Sequence, residues 1–420
     1  MDLTNYSFDP IDPAFLRDPY PYFTHLRDSD PVHWSNLGFW VVTRFEDCRS
    51  TLIGKQFGQG DFVKNIQLFY GDEFDVMSHP SYAWLSRVFV MQDPPAHTRL
   101  RGLVSGALSL KRIRAMEPRI RELAVRLLDD YDRSGSDNFI TEFAYQFPTK
   151  VMCDMLGMSD EDYPADLLLK LNQAIADSFI VFETRALSPA ELERADEQMR
   201  FLTATFDELF AARRKNPQDD LTTAMVQSQE GGDSLTPEEL STSVIGLFGA
   251  GFETTAHMIG NGMYLLGKYP EQRQRLIDNP ALASDTTEEV LRYESSLQAS
   301  YRTALADETI GSQAIKQGQR VLAIVAAANR DETHFDNPDS FDISPREQKP
   351  LTFGGGIHYC VGAELARLEG KVFFEELVKR YPDFTVDVES ARLRPAFLFR
   401  GFEYLPVNLQ GPAKDTEAND

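Results

Sequence analysis

Apolar residues recur with a helical period through the middle of the chain, from about position 93 to position 270. Breaks rich in Gly, Pro, Asp and Asn interrupt this pattern at 134–137, 157–164 and 216–220. This part of the chain is therefore predicted to be an assembly of helices.

Strand-like segments lie outside the helical part, at 39–45 (FWVVTRF), 321–329 and 405–409. The fold class expected is mainly α with small β-sheets (α+β). Because no fixed-period repeat or low-complexity linker divides the chain, we expect a single domain over residues 1–410. The polar residues 411–420 are predicted to be a disordered tail.

One predicted helix is unusually long. Thr236 to Glu239 read as a capping box with Pro at the first helical position, and the pattern then continues to Lys268. At about 1.5 Å per residue this element would span roughly 50 Å, so it should be central. Its middle contains Gly246, Gly249 and Gly251, which each cost roughly 1 kcal/mol relative to Ala. Close helix packing through small residues is one explanation, and a functional role is the other.

Charge narrows the possible partners. The chain has 42 Lys+Arg against 65 Asp+Glu, a formal net charge of -23, which argues against binding to nucleic acid or to anionic lipid. No stretch approaches the roughly 18 to 20 apolar residues of a membrane span, and the first residues lack the pattern of a secretion signal. We expect a cytoplasmic protein without a membrane partner.

The cysteines direct attention to one position. Cys48, Cys153 and Cys360 are far apart with no CxxC pair, so neither a zinc site nor a disulfide framework is indicated. Cys360 follows three glycines and precedes a helical pattern, and a helix N-terminus favours a thiolate that can bind a metal or act as a nucleophile. A cysteine hydrolase needs an imidazole in contact with the sulfur, and His358 lies on the same loop. A phosphate loop is excluded because Gly-Lys-Ser/Thr is absent.

Residues 353–362, FGGGIHYCVG, resemble the haem-binding loop of the cytochrome P450 family at every defining position. The resemblance extends in order through DPPAHTRLR, AGFETT, an ExxR element and the C-terminal FLFRGFEYLPVNL. It implies a helical prism around haem b with a long central helix. It also makes Cys360 the ligand of the iron, with Phe353 shielding the sulfur. An inert buried cysteine is the competing interpretation.

The same resemblance assigns roles to the other motifs. In AGFETT (250–255) a widened helical turn would make room for O2, and Glu253 and Thr254 would deliver protons. Glu289 and Arg292 would form a buried structural pair. Ser340 stands where the family often has an Arg, a role that Arg346 could take. The residues expected to bind the cofactor are His97, Arg101, Ala250, Gly251, Arg302, Phe353, Gly354, His358, Cys360 and Gly362.

Substrate contacts are expected from the variable region 60–90 and from mainly apolar positions, which predicts a hydrophobic ligand. These positions are Phe179, Phe182, Phe248, Gly249, Leu297, Gln298, Phe397 and Leu398. The resemblance implies a monooxygenase acting on a polyketide-, macrolide- or terpenoid-like natural product, free or bound to a carrier protein. Peroxygenase, haem isomerase and non-catalytic ligand binding are the alternatives.

Electrons would come from NAD(P)H through separate proteins, a reductase and a ferredoxin or flavodoxin-type donor, because no flavin or iron–sulfur domain is fused to the chain. Basic residues at Arg99, Lys111, Arg112 and Arg114 form a candidate docking patch, for which a solvated helix face is the competing interpretation. The protein is expected to act as a monomer.

Overall fold

The computed structural model describes residues 3, 6–158, 165–183, 185–230 and 233–411. From residue 412 onward, the predicted tail lies outside the described residues. The α-helices span Pro13–Arg17, Tyr20–Ser29, Phe45–Ile53, Phe62–Tyr70, Pro80–Arg87, Ala96–Ala107, Leu110–Ala115, Glu117–Ser134, Gln146–Leu156, Ala165–Ser178, Pro189–Lys215, Leu221–Val226, Pro237–Lys268, Pro270–Asp278, Ala283–Tyr293, Val325–Ala328 and Ala363–Arg380. Short 3₁₀ segments are Val76–Ser78, Phe89–Met91, Phe179–Phe182, Pro280–Leu282 and Gly356–His358, and Ile140–Ala144 is a π-helical turn.

The long helix, Pro237–Lys268, confirms the sequence prediction at both ends. The Thr236 hydroxyl accepts from the Glu239 N–H, and the Glu239 carboxylate accepts from the Thr236 N–H. Its 32 residues correspond to about 48 Å. It packs against the helices Gln146–Leu156, Pro189–Lys215, Ala283–Tyr293 and Ala363–Arg380, which places it at the centre of the helical assembly.

The largest sheet has five strands in the order Val32–Trp34, Trp40–Val42, Arg320–Ala323, Ser300–Ala304 and Phe57–Gly58. The second and third of these strands are parallel, and the other pairs are antiparallel. Two-stranded ribbons pair Glu308–Ile310 with Gln313–Ile315, Thr385–Val386 with Val407–Asn408, Arg392–Leu393 with Phe402–Tyr404, and Gln229–Glu230 with Asp233–Ser234. The mainly helical α+β class is therefore confirmed.

All three strand predictions were too long, and in the segment 405–409 only Val407–Asn408 is a strand. Only Trp40–Val42 of the segment 39–45 is a strand, because a helix begins at Phe45, whose N–H donates to the Asp331 carboxylate at 2.7 Å. In the segment 321–329 the strand ends at Ala323, and Val325–Ala328 turns into a short buried helix. Within the described ranges, no helix combines the length and apolar character needed to cross a membrane.

Candidate active site

The loop that carries Cys360 (the cysteine loop, 351–362) is fixed by backbone bonds. The Cys360 N–H donates to the Phe353 carbonyl at 2.9 Å, and the Gly354 N–H donates to the Leu351 carbonyl at 2.7 Å. Gly354 and Gly356 adopt positive φ angles of 69° and 61°, a region that favours glycine. A Cβ on Gly356 would also lie 3.1 Å from the Ile53 Cα. The glycine-rich sequence is therefore required by the path of this loop.

The chemistry of the Cys360 sulfur differs in one respect from the expectation. The following helix begins at Ala363 rather than immediately after the cysteine. Burial raises the pKa of the Cys360 thiol, and the N–H groups of Gly362 and Ala363 oppose this effect only in part. The helix end alone therefore does not produce a free thiolate. A bound metal ion does, because coordination deprotonates a thiol, so this sulfur suits a metal ligand better than a free nucleophile.

Among the described residues, no imidazole is hydrogen-bonded to Cys360, as a hydrolase nucleophile would require. The His358 ring packs on the His97 ring with centroids 4.3 Å apart, and neither ring nitrogen of His358 has a hydrogen-bond partner among the described residues. Nowhere in the described residues does a group of three or more His, Cys, Asp or Glu side chains lie so that it could hold a metal ion. A metal at Cys360 would therefore need most of its ligands from a cofactor.

Four cationic or imidazole side chains gather beside this loop: His97, Arg101, Arg302 and His358. Burial and the two arginines lower the pKa of His358 to about 3, and burial lowers the pKa of Arg302 to about 10. Both nitrogens of each histidine are buried without a partner among the described residues. The positive charge of this group is carried by Arg101 and Arg302, and two desolvated arginines beside imidazole nitrogens without partners need an anion. The two propionates of haem meet that requirement, so these residues fit the cofactor implied by the sequence.

A cavity of about 390 Å³ separates the cysteine loop from the middle of the long helix. Cys360, Phe353, Gly354 and Gly362 of the loop line this cavity, together with Ala250, Gly251, Glu253 and Thr254 of the long helix. Apolar side chains dominate the remainder. The predicted substrate contacts that line this cavity are Phe179, Phe182, Gly249, Leu297 and Leu398.

Three predicted substrate contacts do not line this cavity. Phe248 is fully buried against Phe206 and Phe252, because successive residues of a helix point about 100° apart and Gly249 takes the cavity side. Gln298 is buried beside Leu297, and its Nε2 donates to the Ser295 carbonyl at 2.6 Å. Phe397 packs against rings of the N-terminal segment, including Phe8 and Phe15, while its neighbour Leu398 faces the cavity.

Glu253 and Thr254, adjacent residues of the long helix, have different surroundings. The Thr254 hydroxyl faces the cavity and donates to the Ala250 carbonyl at 2.8 Å. Glu253 is 2% exposed, and its Oε1 accepts from the Arg394 Nη1 at 2.8 Å. Burial raises the pKa of Glu253, and Arg394 opposes that rise. Within the described range 233–411 the helix is continuous, so no separate widened turn is seen there.

The Glu289 and Arg292 side chains form a buried ion pair. Both Arg292 Nε and Nη2 donate to the Glu289 carboxylate at 2.8 Å, and other Arg292 donors bond the carbonyls of Asn329, Pro338 and Ser340. The Arg346 Nε lies 3.2 Å from Glu289 Oε2. Arg346 therefore occupies the place of the third partner, and Ser340 contributes only its main chain.

Comparison with known proteins decides the family, because residues 52–393 match the family model described as Cytochrome P450. The chain belongs to the cytochrome P450 family. It is 32% identical over 374 residues to "Putative cytochrome P450 133B2" of Xylella fastidiosa, covering 89% of this chain and 92% of that protein. It is also 32% identical over 406 residues to "Vitamin D(3) 25-hydroxylase" of Pseudonocardia autotrophica, with 95% of both chains covered.

The structure is similar to that of P450BioI in complex with an acyl carrier protein ligated to hexadec-9Z-enoic acid. The TM-score is 0.84 at 32% sequence identity, with 94% of this chain and 98% of that chain covered. The cytochrome P450 resemblance of the sequence is thus confirmed, and the protein is a monooxygenase of this family that uses haem, O2 and electrons from a redox partner.

Sequence reasoning missed the partners of the acid in this cytochrome P450. Arg394 pairs with Glu253 and also lies 2.7 Å, Nη1 to Nε2, from His257. His257 follows Glu253 by four residues, a spacing that places both on one helix face and could have been noticed. Arg394 is 141 positions away from Glu253, and no local pattern marks it.

Proposed function

We propose that this cytochrome P450 inserts one oxygen atom from O2 into a hydrophobic natural product of polyketide, macrolide or terpenoid type. The observation that carries the proposal is the cavity, which is lined by Cys360, by Thr254 and by mainly apolar side chains. Such a cavity favours a ligand that is largely apolar. The proposal includes haem b held by Cys360, and His97, Arg101, Arg302 and His358 as partners of its propionates.

Bound haem supplies the iron at which O2 is activated. The residues of the chain then have three tasks. The apolar wall binds and orients the substrate and excludes water. The Thr254 Oγ1 presents a hydroxyl to the cavity, from which a proton can be passed on. The Glu253 carboxyl can relay a proton, since burial raises its pKa and its Oε2 has no hydrogen-bond partner among the described residues.

A route from solvent to Glu253 supports the role in proton supply. Glu253 lies in the wall of the inner cavity and also in the wall of a larger cleft between the N-terminal segment and residues 388–402. Glu183 lies in both walls as well, and burial raises its pKa to about 7. Two carboxyl groups therefore stand between solvent and Thr254.

The electron donors proposed are a ferredoxin or flavodoxin-type protein and its NAD(P)H-dependent reductase, acting on a monomer. Lys111 and Arg114 are exposed, so both side chains can contact a donor protein. Arg99 contributes less, because Asp233 and Glu239 pair with it. A substrate presented by a carrier protein falls within the proposal, as the structure of P450BioI has an acyl carrier protein bound.

The test combines a spectrum with a measurement of coupling. The reduced protein with carbon monoxide should give the strongly red-shifted Soret band of thiolate-ligated haem. In Thr254→Ala, product formed per O2 consumed should fall by roughly tenfold or more, because a proton donor is lost. The control is Thr255→Ala, since the Thr255 hydroxyl bonds the Gly251 carbonyl in the same way but is buried. Unchanged coupling in Thr254→Ala, or turnover that ignores reduced donor, would refute the monooxygenase relay in favour of a peroxygenase or isomerase.

A further inference from the structure

Arg320 is a buried cation in the wall of the same cavity. It begins the strand Arg320–Ala323, is 8% exposed, and stands opposite Thr303 in the antiparallel register. Its neighbours in that wall include Asn65 and Phe69, on the helix Phe62–Tyr70. A guanidinium at such a place loses most of its hydration and needs compensation.

The contacts of Arg320 compensate the charge only in part. Its Nη1 donates to the Asn65 carbonyl at 3.2 Å, and its guanidinium carbon lies 4.0 Å from the centre of the Tyr301 ring and 5.6 Å from that of Phe69. Its Nε is buried without a hydrogen-bond partner, and no carboxylate of the described residues lies within ion-pair distance. Burial accordingly lowers the pKa of Arg320.

Most other buried arginines have a carboxylate partner. Each of the following has an Asp or Glu oxygen within 4.0 Å: Arg27, Arg292, Arg330 and Arg400. Arg302 lacks one, and the haem propionates account for it. Arg320 is the remaining case among the buried arginines of the described residues. The comparison indicates that Arg320 also faces an anion that is not part of the chain.

That anion is not a haem propionate. Arg302 stands opposite Val321, and Arg320 stands opposite Thr303 one register position away. Side chains at successive positions of paired strands project from opposite faces of the sheet. Arg320 therefore lies on the face of Tyr301, towards the helix Phe62–Tyr70, while Arg302 lies on the face of Ser300, whose hydroxyl it contacts at 3.0 Å.

We propose that Arg320 binds the carboxylate of the substrate, so that the ligand of this cavity is a hydrophobic carboxylic acid. This inference rests on the proposed oxidation of a hydrophobic molecule and narrows its class. A guanidinium forms strong charge-assisted hydrogen bonds with a carboxylate, and the low dielectric of a buried site strengthens them. The rings and side chains of Phe62, Ile66 and Phe69 provide an apolar wall next to the charge.

The first test uses the haem-loaded ferric protein and two probe pairs: dodecanoic acid with its methyl ester, and abietic acid with its methyl ester. Dissociation constants are measured by calorimetry and by the spin-state change. At least one acid should bind about 10- to 100-fold more tightly than its ester, the range expected for hydrogen bonds to a charged group. If neither acid binds more tightly than its ester, the carboxylate site is refuted.

Variants locate the preference. Arg320→Gln should reduce the ratio of acid to ester affinity to near one, and Arg320→Lys should keep part of it. The control is Lys64→Gln, which removes a positive charge from the helix Phe62–Tyr70 at a side chain that is 81% exposed. It should leave the ratio unchanged. A preference that persists in Arg320→Gln would mean that the carboxylate binds elsewhere, and so would overturn the proposal.

A second variant covers the case in which Arg320→Gln fails to fold. Asn65→Asp keeps the shape of the side chain and puts a carboxylate on the residue whose main-chain carbonyl accepts from Arg320, while it gives up the hydrogen bonds that the Asn65 Nδ2 donates to the Gln59 carbonyl and the Thr303 hydroxyl. This internal carboxylate should lower the affinity for the acid and leave the affinity for the ester unchanged. Since none of these binding measurements requires electrons or turnover, a failed monooxygenase assay would not affect their outcome.

Discussion

The network beneath the cysteine loop and the wall of the cavity differ in how completely their polar groups are bonded. In the network, Arg292 donates to Glu289 and to three carbonyls, and the Asn329 amide bonds Ser295, Thr352 and the Leu351 N–H. In the cavity wall, oxygen or nitrogen atoms of Glu253, Ser296, Arg320 and His358 are buried without partners among the described residues.

The contrast distinguishes the structural scaffold from the ligand-binding site. Buried polar groups are usually satisfied, and those that are not tend to occur where a ligand or water completes them. The network beneath the cysteine loop holds one geometry and leaves little for a ligand to bond. The cavity wall leaves polar groups to be completed by cofactor, substrate or water, and substrate selection is to be sought there.

Breaking the scaffold should have the largest effect. Glu289→Gln leaves Arg292 and Arg346 without their buried carboxylate, and removing one partner of such a network costs about 3–5 kcal/mol. The free energy of unfolding in urea and the retained haem are the measurements. Glu46→Gln is a matched control, because Glu46 and Arg49 have the same i,i+3 spacing on a helix but are 66% and 47% exposed. It should cost no more than about 0.5 kcal/mol, and equal losses in both variants would contradict the distinction.

Changing the partner of Glu253 should have a smaller effect on the free energy of unfolding, and this effect should depend on pH. Arg394→Gln removes the cation that lowers the pKa of Glu253, so the carboxyl of the variant should hold its proton to a higher pH. A folded-state pKa above the unfolded value makes stability fall as pH rises between the two values. The variant should therefore lose about 1–3 kcal/mol at pH 8 and less at pH 5, measured by urea unfolding.

The control for that experiment lies two residues earlier. Arg392→Gln removes a charge from the same strand region, where Arg392 is 63% exposed and pairs with an exposed Glu403. It should cost little at either pH. If Arg394→Gln were equally harmless at pH 8, Arg394 would not be lowering the pKa of Glu253.

These regions also differ in how far the sequence predicts them. The long helix matches its predicted bounds because its signals are local: the capping box at Thr236 and the proline at 270. The pair of Glu289 and Arg292 is local as well. Arg394 and Arg320 carry no such signal, since their partners lie 141 and 255 positions away in the chain.

The errors in the predicted pocket have one physical cause. Phe248, Gln298 and Phe397 each stand beside a residue that does line the cavity: Gly249, Leu297 and Leu398. A motif places a segment near the site, but the rotation of the helix or of the extended chain decides which neighbour faces inward. That rotation is set by packing with distant segments, such as the contacts of Phe397 with Phe8 and Phe15.

The smallest effect concerns the glycines of the long helix. Gly246→Ala should stabilise the protein by about 0.5–1 kcal/mol, because Ala is the better helix former and the nearest atom to the new Cβ would be Val88 Cγ1 at 3.5 Å. In Gly249→Ala the Cβ would meet the Phe179 ring, and overpacking should offset that gain. Melting temperatures of the two variants test the difference. Both glycines line the cavity, but only the Cβ at 249 would displace a ring, so Gly249→Ala should weaken binding of an apolar probe more than Gly246→Ala does. Equal stabilisation with unchanged binding in both would show that glycine at 249 is required neither by the packing of Phe179 nor by the cavity.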